Sequence, residues 1–156
     1  MTPANLALLD AELRRDEGVR YVRYLDTKGN PSTGVGHNLI TSPLPAGWSY
    51  PLNDTQVTQL LNGDLAETFH ELDTYLSWWH QLDEVRQRVI ANMCFNIGIG
   101  DLLGFHNALG ATQRGAYAIA AAAMKASDWY GEVGDRAVRL CQAMETGVMP
   151  VAANVA

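Results

Sequence analysis

The stretch Asp16-Glu17-Gly18-Val19-Arg20-Tyr21-Val22-Arg23-Tyr24-Leu25-Asp26-Thr27-Lys28-Gly29-Asn30-Pro31-Ser32-Thr33-Gly34-Val35-Gly36-His37 carries most of the structural information in this chain. It leaves a helical segment, runs through the β-type residues Tyr21, Val22 and Tyr24, turns at Thr27–Pro31 and returns from Ser32 to His37. Two acids, Glu17 and Asp26, flank the outgoing strand, and hydroxyl residues and a histidine follow them. That set suits cleavage of a sugar–sugar bond, in which one carboxylic acid protonates the leaving oxygen and a second carboxylate supports water on the opposite side. A straight strand at ~3.3 Å per residue would hold the two acids ~30 Å apart. The chain therefore has to bend between them, and Gly18 and the turn are where it can. Taken as a pair alone, the acids read more readily as solvated surface carboxylates. The whole string carries the weight.

Working outward, Thr2-Pro3 reads as an N-cap followed by proline at the first helical position. Leu6, Leu9 and Leu13 recur at helical spacing up to Gly18, which is placed to stop that helix. The segment from Thr41 to Pro51 is rich in proline and reads as loop. Asn53 or Asp54 can cap a long helix with one face made by Val57, Leu60, Leu61, Asp64, Leu65, Thr68 and Leu72. Beyond Trp78-Trp79-His80, where core is favoured over an exposed sugar-stacking pair, the text is helical almost throughout. Val85, Val89, Ile90, Met93, Cys94 and Ile97 form the stripe of a central core helix. Gly98, Gly100, Gly104 and Gly110 punctuate short helices, and Asp135 is placed to cap a last helix that ends at Gly147. The class is α+β, mostly α.

The 156 residues, 47% of them hydrophobic, are enough for one unit (1–156) with a real core. The formal net charge of −6 and scattered cations give no nucleic-acid footprint. Cys94 and Cys141 sit in apolar helical text and are expected as buried free thiols, made in a reducing compartment. The start, M-T-P-A-N-L-A-L-L-D, lacks the basic region and long apolar run of a leader, and no stretch approaches the ~20 apolar residues of a membrane span. The four histidines show no metal-ligand spacing and there is no H-E-x-x-H, so no metal or cofactor is expected. Nor is there a nucleotide-binding loop or a G-x-S-x-G elbow.

The opening string resembles the active-site segment of phage-type lysozymes, the T-even phage lysozyme family (glycoside hydrolase family 24). These muramidases cleave the β-1,4 bond between N-acetylmuramic acid and N-acetylglucosamine. The family's D-E-G, Asp-Thr and Thr-x-G-x-G-H correspond to Asp16-Glu17-Gly18, Asp26-Thr27 and Gly34-Val35-Gly36-His37. R-Q-R-V-I-A-N-M-C-F-N-I-G, G-F-H-N-A-L, D-W-Y and D-R-A-V-R-L continue the likeness downstream. It is weakest from Thr41 to Pro51 and from Thr74 to Gln81, and the central region is about three residues shorter than in the family prototype.

The resemblance implies a lysozyme-like fold with a small N-terminal α/β lobe (16–63) bearing a β-hairpin. A long connecting helix would lead to a helical C-terminal lobe (64–156, plus helix 3–15), with the substrate cleft between the lobes. Glu17 becomes the general acid, which has to keep a proton, as partial burial favours. Asp26 stays ionised, orienting water or steadying the oxocarbenium-like transition state, with inversion expected. The family has threonine where this chain has Ser32, beside Thr33; either hydroxyl can hold the water, and spacing favours Ser32.

The resemblance also pairs His37 with Asp64 structurally, and implies links of Asp16 with Arg139 and Glu17 with Arg136. Phe95 matches an aromatic of the cleft, and Asn38 is placed to offer an amide to substrate N-acetyl groups. The implied role is a monomeric phage endolysin, held in the host cytoplasm until a holin releases it to the peptidoglycan. The acidic charge fits poorly with familiar basic family members, and leaves a tail-associated or secreted antibacterial muramidase open. The rivals are a lytic transglycosylase acting on the same bond and a non-catalytic wall-binding descendant.

Overall fold

Thr2 and Pro3 start the first helix, α1 (Pro3–Glu17), with the Thr2 hydroxyl accepting the N–H of Asn5 at 3.1 Å. Satisfying one of the unpaired N–H groups at a helix start is worth about 1 kcal/mol. Gly18 ends it with φ +75°, a left-handed conformation that only glycine enters without strain, while its N–H donates to Arg14 O. The computed structural model describes residues 1–151, in two units: Leu6–Glu67, and Met1–Asn5 with Thr68 onward. Leu6–Glu17 thus groups with the sheet, whereas the family resemblance places helix 3–15 with the later helices. The expected second lobe also runs to residue 156, and its last five residues lie outside the described ones.

The first unit is built on a three-stranded antiparallel sheet of β1 (Arg20–Leu25), β2 (Pro31–Gly34) and β3 (His37–Asn38), in that order. Tyr24 pairs with Ser32 and Leu25 with Pro31, with an irregularity between Arg20 and Tyr24. Beyond the expected hairpin, the chain adds the short β3, whose His37 pairs with Thr33. β1 is an edge strand with Tyr21, Val22 and Leu25 exposed.

After the expected loop comes α2 (Asp54–Tyr75), 22 residues or ~33 Å at ~1.5 Å per residue. Asn53 caps it through a reciprocal pair: Gln56 N–H donates to Asn53 Oδ1 at 2.8 Å, and Asn53 N–H to Gln56 Oε1 at 2.9 Å. Val57, Leu60, Leu61, Leu65 and Leu72 are buried at helical spacing. Each such side chain contributes about 1.5–3 kcal/mol relative to exposure. On α1, Leu9 and Leu13 are buried but Leu6 is exposed, so the expected stripe begins a turn later.

The second unit is helical: a 3-10 turn (Ser77–Gln81), α3 (Glu84–Leu103), α4 (His106–Gln113), α5 (Tyr117–Lys125), α6 (Asp128–Val133) and α7 (Asp135–Thr146). α7 packs on α3, α5 and α6. Buried alanines 120 and 121 on α5 and 137 and 143 on α7 allow close approach of those helices. Trp79 is buried, stacks on Phe69 at 5.6 Å and donates its indole N–H to Asp73, while Trp78 is half-buried.

Two expectations need correction. Gly98 (φ +81°) interrupts α3 without ending it, and Gly100 and Gly110 lie inside helices. Asp135 is the first residue of α7 and not its cap, because Gly134 takes φ +60°, ψ −129° and turns the chain one residue earlier. No single described helix is long and apolar enough to cross a membrane.

Candidate active site

Glu17 and Asp26 are placed by two breaks in the chain, at Gly18 and at the turn after β1. Glu17 is the last residue of α1, and Gly18 swings β1 back along the unit. Glu17 Oε2 then lies so close to the Gly36 Cα that a Cβ built there would meet it at 2.8 Å. Asp26 stands just past the end of β1, where its N–H donates to Asn30 O at 2.9 Å.

The phenol of Tyr24 is within electrostatic reach of both. Burial pushes its pKa up, and the charges of Glu17 and Asp26 push it further in the same direction. The Arg20 guanidinium, 4.6 Å above the ring, and a backbone hydrogen bond from Gly36 oppose them. One half-buried phenol therefore senses both carboxylates. Sequence reading does not single out Tyr24, although its position two residues before Asp26 places both on the same side of the pleat.

Asp26 is held in a tight local turn. Its Oδ1 accepts Lys28 N–H at 2.9 Å and Asn30 N–H at 2.7 Å, and its Oδ2 accepts the Asn30 amide at 3.3 Å. These bonds, the Asn30 backbone first, hold its pKa below the usual carboxylate range against the opposing effect of desolvation. Asp26 is ionised near neutral pH.

Ser32 and Thr33, the alternative hydroxyls, behave differently. The Thr33 hydroxyl is fully buried and donates to Val22 O across the β1–β2 pair at 3.0 Å. Ser32, opposite Tyr24 on β2, donates to Asn30 O at 3.2 Å. By the alternation of strand side chains, Ser32 shares a face with Tyr24 and Asp26.

His37 is buried and bonded at both nitrogens: Nδ1 lies 2.8 Å from Asp64 Oδ2, and Nε2 lies 2.7 Å from Ser42 O. Both partners are acceptors, so the ring is best satisfied as the doubly protonated cation. The Asp64 hydrogen bond pushes the His37 pKa up, against desolvation and with the Asp64 charge and Ser42 carbonyl. The bond ties β3 to α2.

Asn38 spends its carbonyl oxygen on the turn after β3, accepting Ile40 N–H at 2.8 Å. Asp16 receives Arg15 Nε at 3.0 Å. Phe95 is half-buried on α3; Arg136 is buried in the helical unit with Nε 2.8 Å from Asn92 Oδ1, and Arg139 sits a turn further along α7. A shallow depression of about 450 Å³ on α2, lined by Asp54, Thr55, Thr58, Gln59 and Asn62, contains none of the candidate residues. Among the described residues no group of three His, Cys, Asp or Glu side chains could hold a metal ion.

A helix-terminal glutamate and a turn-held aspartate beside a small sheet are the two candidate carboxylates. The chain belongs to the phage lysozyme family, which matches residues 14–141. It is 26% and 27% identical to probable T4-type lysozymes 1 and 2 of Dictyostelium discoideum, covering 88% of this chain and 93% of each relative. It is also 28% identical over 155 residues to the pre-baseplate central spike protein Gp5 of Enterobacteria phage T4. There the match covers 86% of this chain but only 27% of the spike protein.

Proposed function

We propose that this chain is a muramidase that hydrolyses the β-1,4 bond between N-acetylmuramic acid and N-acetylglucosamine in peptidoglycan. Glu17 gives its proton to the glycosidic oxygen as the bond to the anomeric carbon breaks. Asp26, anionic, orients the attacking water on the opposite side and takes up its proton, and Ser32 holds that water. Asn38 and Phe95 are proposed to contact the glycan. The observation that carries the reading is that Glu17 Oε2 lies against Gly36, just past β2, while Asp26 is held in the turn that joins β1 to β2, so both acids border one small sheet. Family membership and the T4-type lysozyme relatives support the substrate class.

The proposed setting is an endolysin released by a holin. The likeness to the spike protein favours a second setting for the same chemistry, a wall-degrading module of a larger tail assembly. The test is turbidity loss of outer-membrane-stripped cells with wild type, Glu17→Gln and Asp26→Asn, together with mass spectrometry of the muropeptides. Loss of lysis in both variants and hydrated reducing ends are expected. Full lysis by Glu17→Gln would overturn the reading, and anhydro products lighter by one water would replace it with a transglycosylase.

A further inference from the structure

Asn30 touches both groups on the water side of the proposed reaction. Its N–H and its side-chain amide donate to the two oxygens of Asp26, at 2.7 and 3.3 Å. Its carbonyl accepts the Asp26 N–H at 2.9 Å and the Ser32 hydroxyl at 3.2 Å.

These bonds have a consequence for a water placed between Asp26 and Ser32. A nucleophilic water must point a lone pair at the anomeric carbon, so its hydrogens need acceptors elsewhere. Ionised Asp26, which has no proton to donate, supplies one acceptor. Ser32 supplies the other only if its own proton is directed away, because a hydroxyl can donate or accept. The Asn30 carbonyl takes that proton and leaves the Ser32 Oγ as an acceptor. On the Asp26 side, Oδ1 is fixed by the backbone N–H groups of Lys28 and Asn30, which any substitution other than proline leaves in place. The rotation of the carboxylate, and hence the free lone pair of Oδ2, is set by the Asn30 amide.

We propose that Asn30 is a positioning residue for the attacking water, aiming Asp26 Oδ2 with its side-chain amide and turning Ser32 into an acceptor with its carbonyl. The inference rests on the muramidase reading above. It adds to that reading a residue that touches neither substrate nor water. The lowered pKa of Asp26, for which the Asn30 backbone is the foremost cause, is consistent with this arrangement.

The Asn30→Leu variant keeps the bonds of the Asn30 N–H and carbonyl and the branched outline of the side chain, at larger volume, while deleting the amide. On soluble uncross-linked peptidoglycan, kcat is expected to fall about ten-fold, with KM within two-fold and the thermal midpoint close to wild type. Asn30→Asp, which sets a like charge against Asp26, is expected to lose more; Asn30→Gln, which keeps an amide donor, is expected to recover part of the loss. Because both act on one water, Asn30→Leu and Ser32→Ala together should lose less than the product of their separate losses. Wild-type kcat in Asn30→Leu and Asn30→Asp, with Asp26→Asn inactive, would overturn the inference and leave the muramidase reading standing. Full activity in Asp26→Asn would remove both. A kcat loss in Asn30→Leu matched by a falling midpoint and a rising KM, with no recovery in Asn30→Gln, would reduce Asn30 to a structural turn residue and also overturn it.

Discussion

The carboxylate of Glu17 rests on the bare backbone of Gly36, where a Cβ would stand 2.8 Å from Oε2 and 3.0 Å from the carboxyl carbon. Gly36 also has φ +62°, so two independent demands fall on one position: left-handed backbone and absence of a side chain. In Gly36→Ala the backbone strain should cost about 1–2 kcal/mol, and the acid must move as well. Gly47, with φ +86° and nothing within 4 Å of the place a Cβ would occupy, separates the two effects. Gly36→Ala is expected to lose activity at least ten-fold beyond its loss of folded protein, whereas Gly47→Ala loses stability alone. Equal specific activity per folded molecule in the two variants would count against a packed role for Gly36. Thermal melts with lysis assays on matched folded fractions make the comparison.

The adjacent hydroxyls of Ser32 and Thr33 point to opposite sides of β2, and their partners differ accordingly. Thr33 is spent on Val22 O in the interior, so Thr33→Val should lower stability by about 1 kcal/mol and leave the chemistry in place. Ser32 lies on the face of Tyr24 and Asp26, so Ser32→Ala should reduce kcat while Ser32→Thr restores it. Steady-state kinetics with urea denaturation curves for the three variants test this. The opposite pattern, with Thr33→Val inactive and Ser32→Ala unaffected, would hand the water to Thr33.

What the sequence discloses and what it conceals follow a physical divide. Helix signals that depend on a few neighbouring residues are legible: Thr2-Pro3 at the start of α1, Gly18 at its end, and the apolar face of α2. Asn53 and Asp54 are equivalent as text, and only the bond from Gln56 N–H chooses Asn53. The short β3, the passage of α3 through Gly98 and the one-residue shift at Gly134 depend on tertiary pairing or on φ, which composition does not encode. At the site, Glu17, Asp26 and Ser32 are nominated through the family string. Tyr24, Asn30 and Gly36 escape notice because what sets them apart is their placement beside those residues. Alternation along β1 could have drawn attention to Tyr24; nothing local marks the Asn30 amide, since it matters only once the turn closes on Asp26.

Cys94 and Cys141 are both buried free thiols, and burial pushes their pKa values up to about 12 and about 11. Since the thiolate is the reactive form, neither should be alkylated in the native protein near neutral pH. Iodoacetamide treatment followed by mass spectrometry is expected to find no adduct without denaturant and two adducts in guanidinium chloride. Rapid native labelling of either cysteine would mean that its helix opens far more readily than its packing implies.

The His37–Asp64 bond gives stability a pH dependence with a definite sign. Its folded pKa is raised above the ordinary 6.5, chiefly by the Asp64 hydrogen bond, so the folded state holds the ring proton more tightly than the unfolded chain does. The stabilisation is therefore fully present below about pH 6.5 and fades as pH climbs through the higher folded value. Asp64→Asn keeps the side-chain shape but removes the charge, and should cost about 1.5–3 kcal/mol near pH 5.5. The gap between variant and wild type is expected to narrow toward pH 9, as His37 gives up its proton. Urea midpoints at the two pH values measure it. A gap that widens with pH would show that the wild-type ring is already neutral and that Asp64 stabilises this unit through its other contacts.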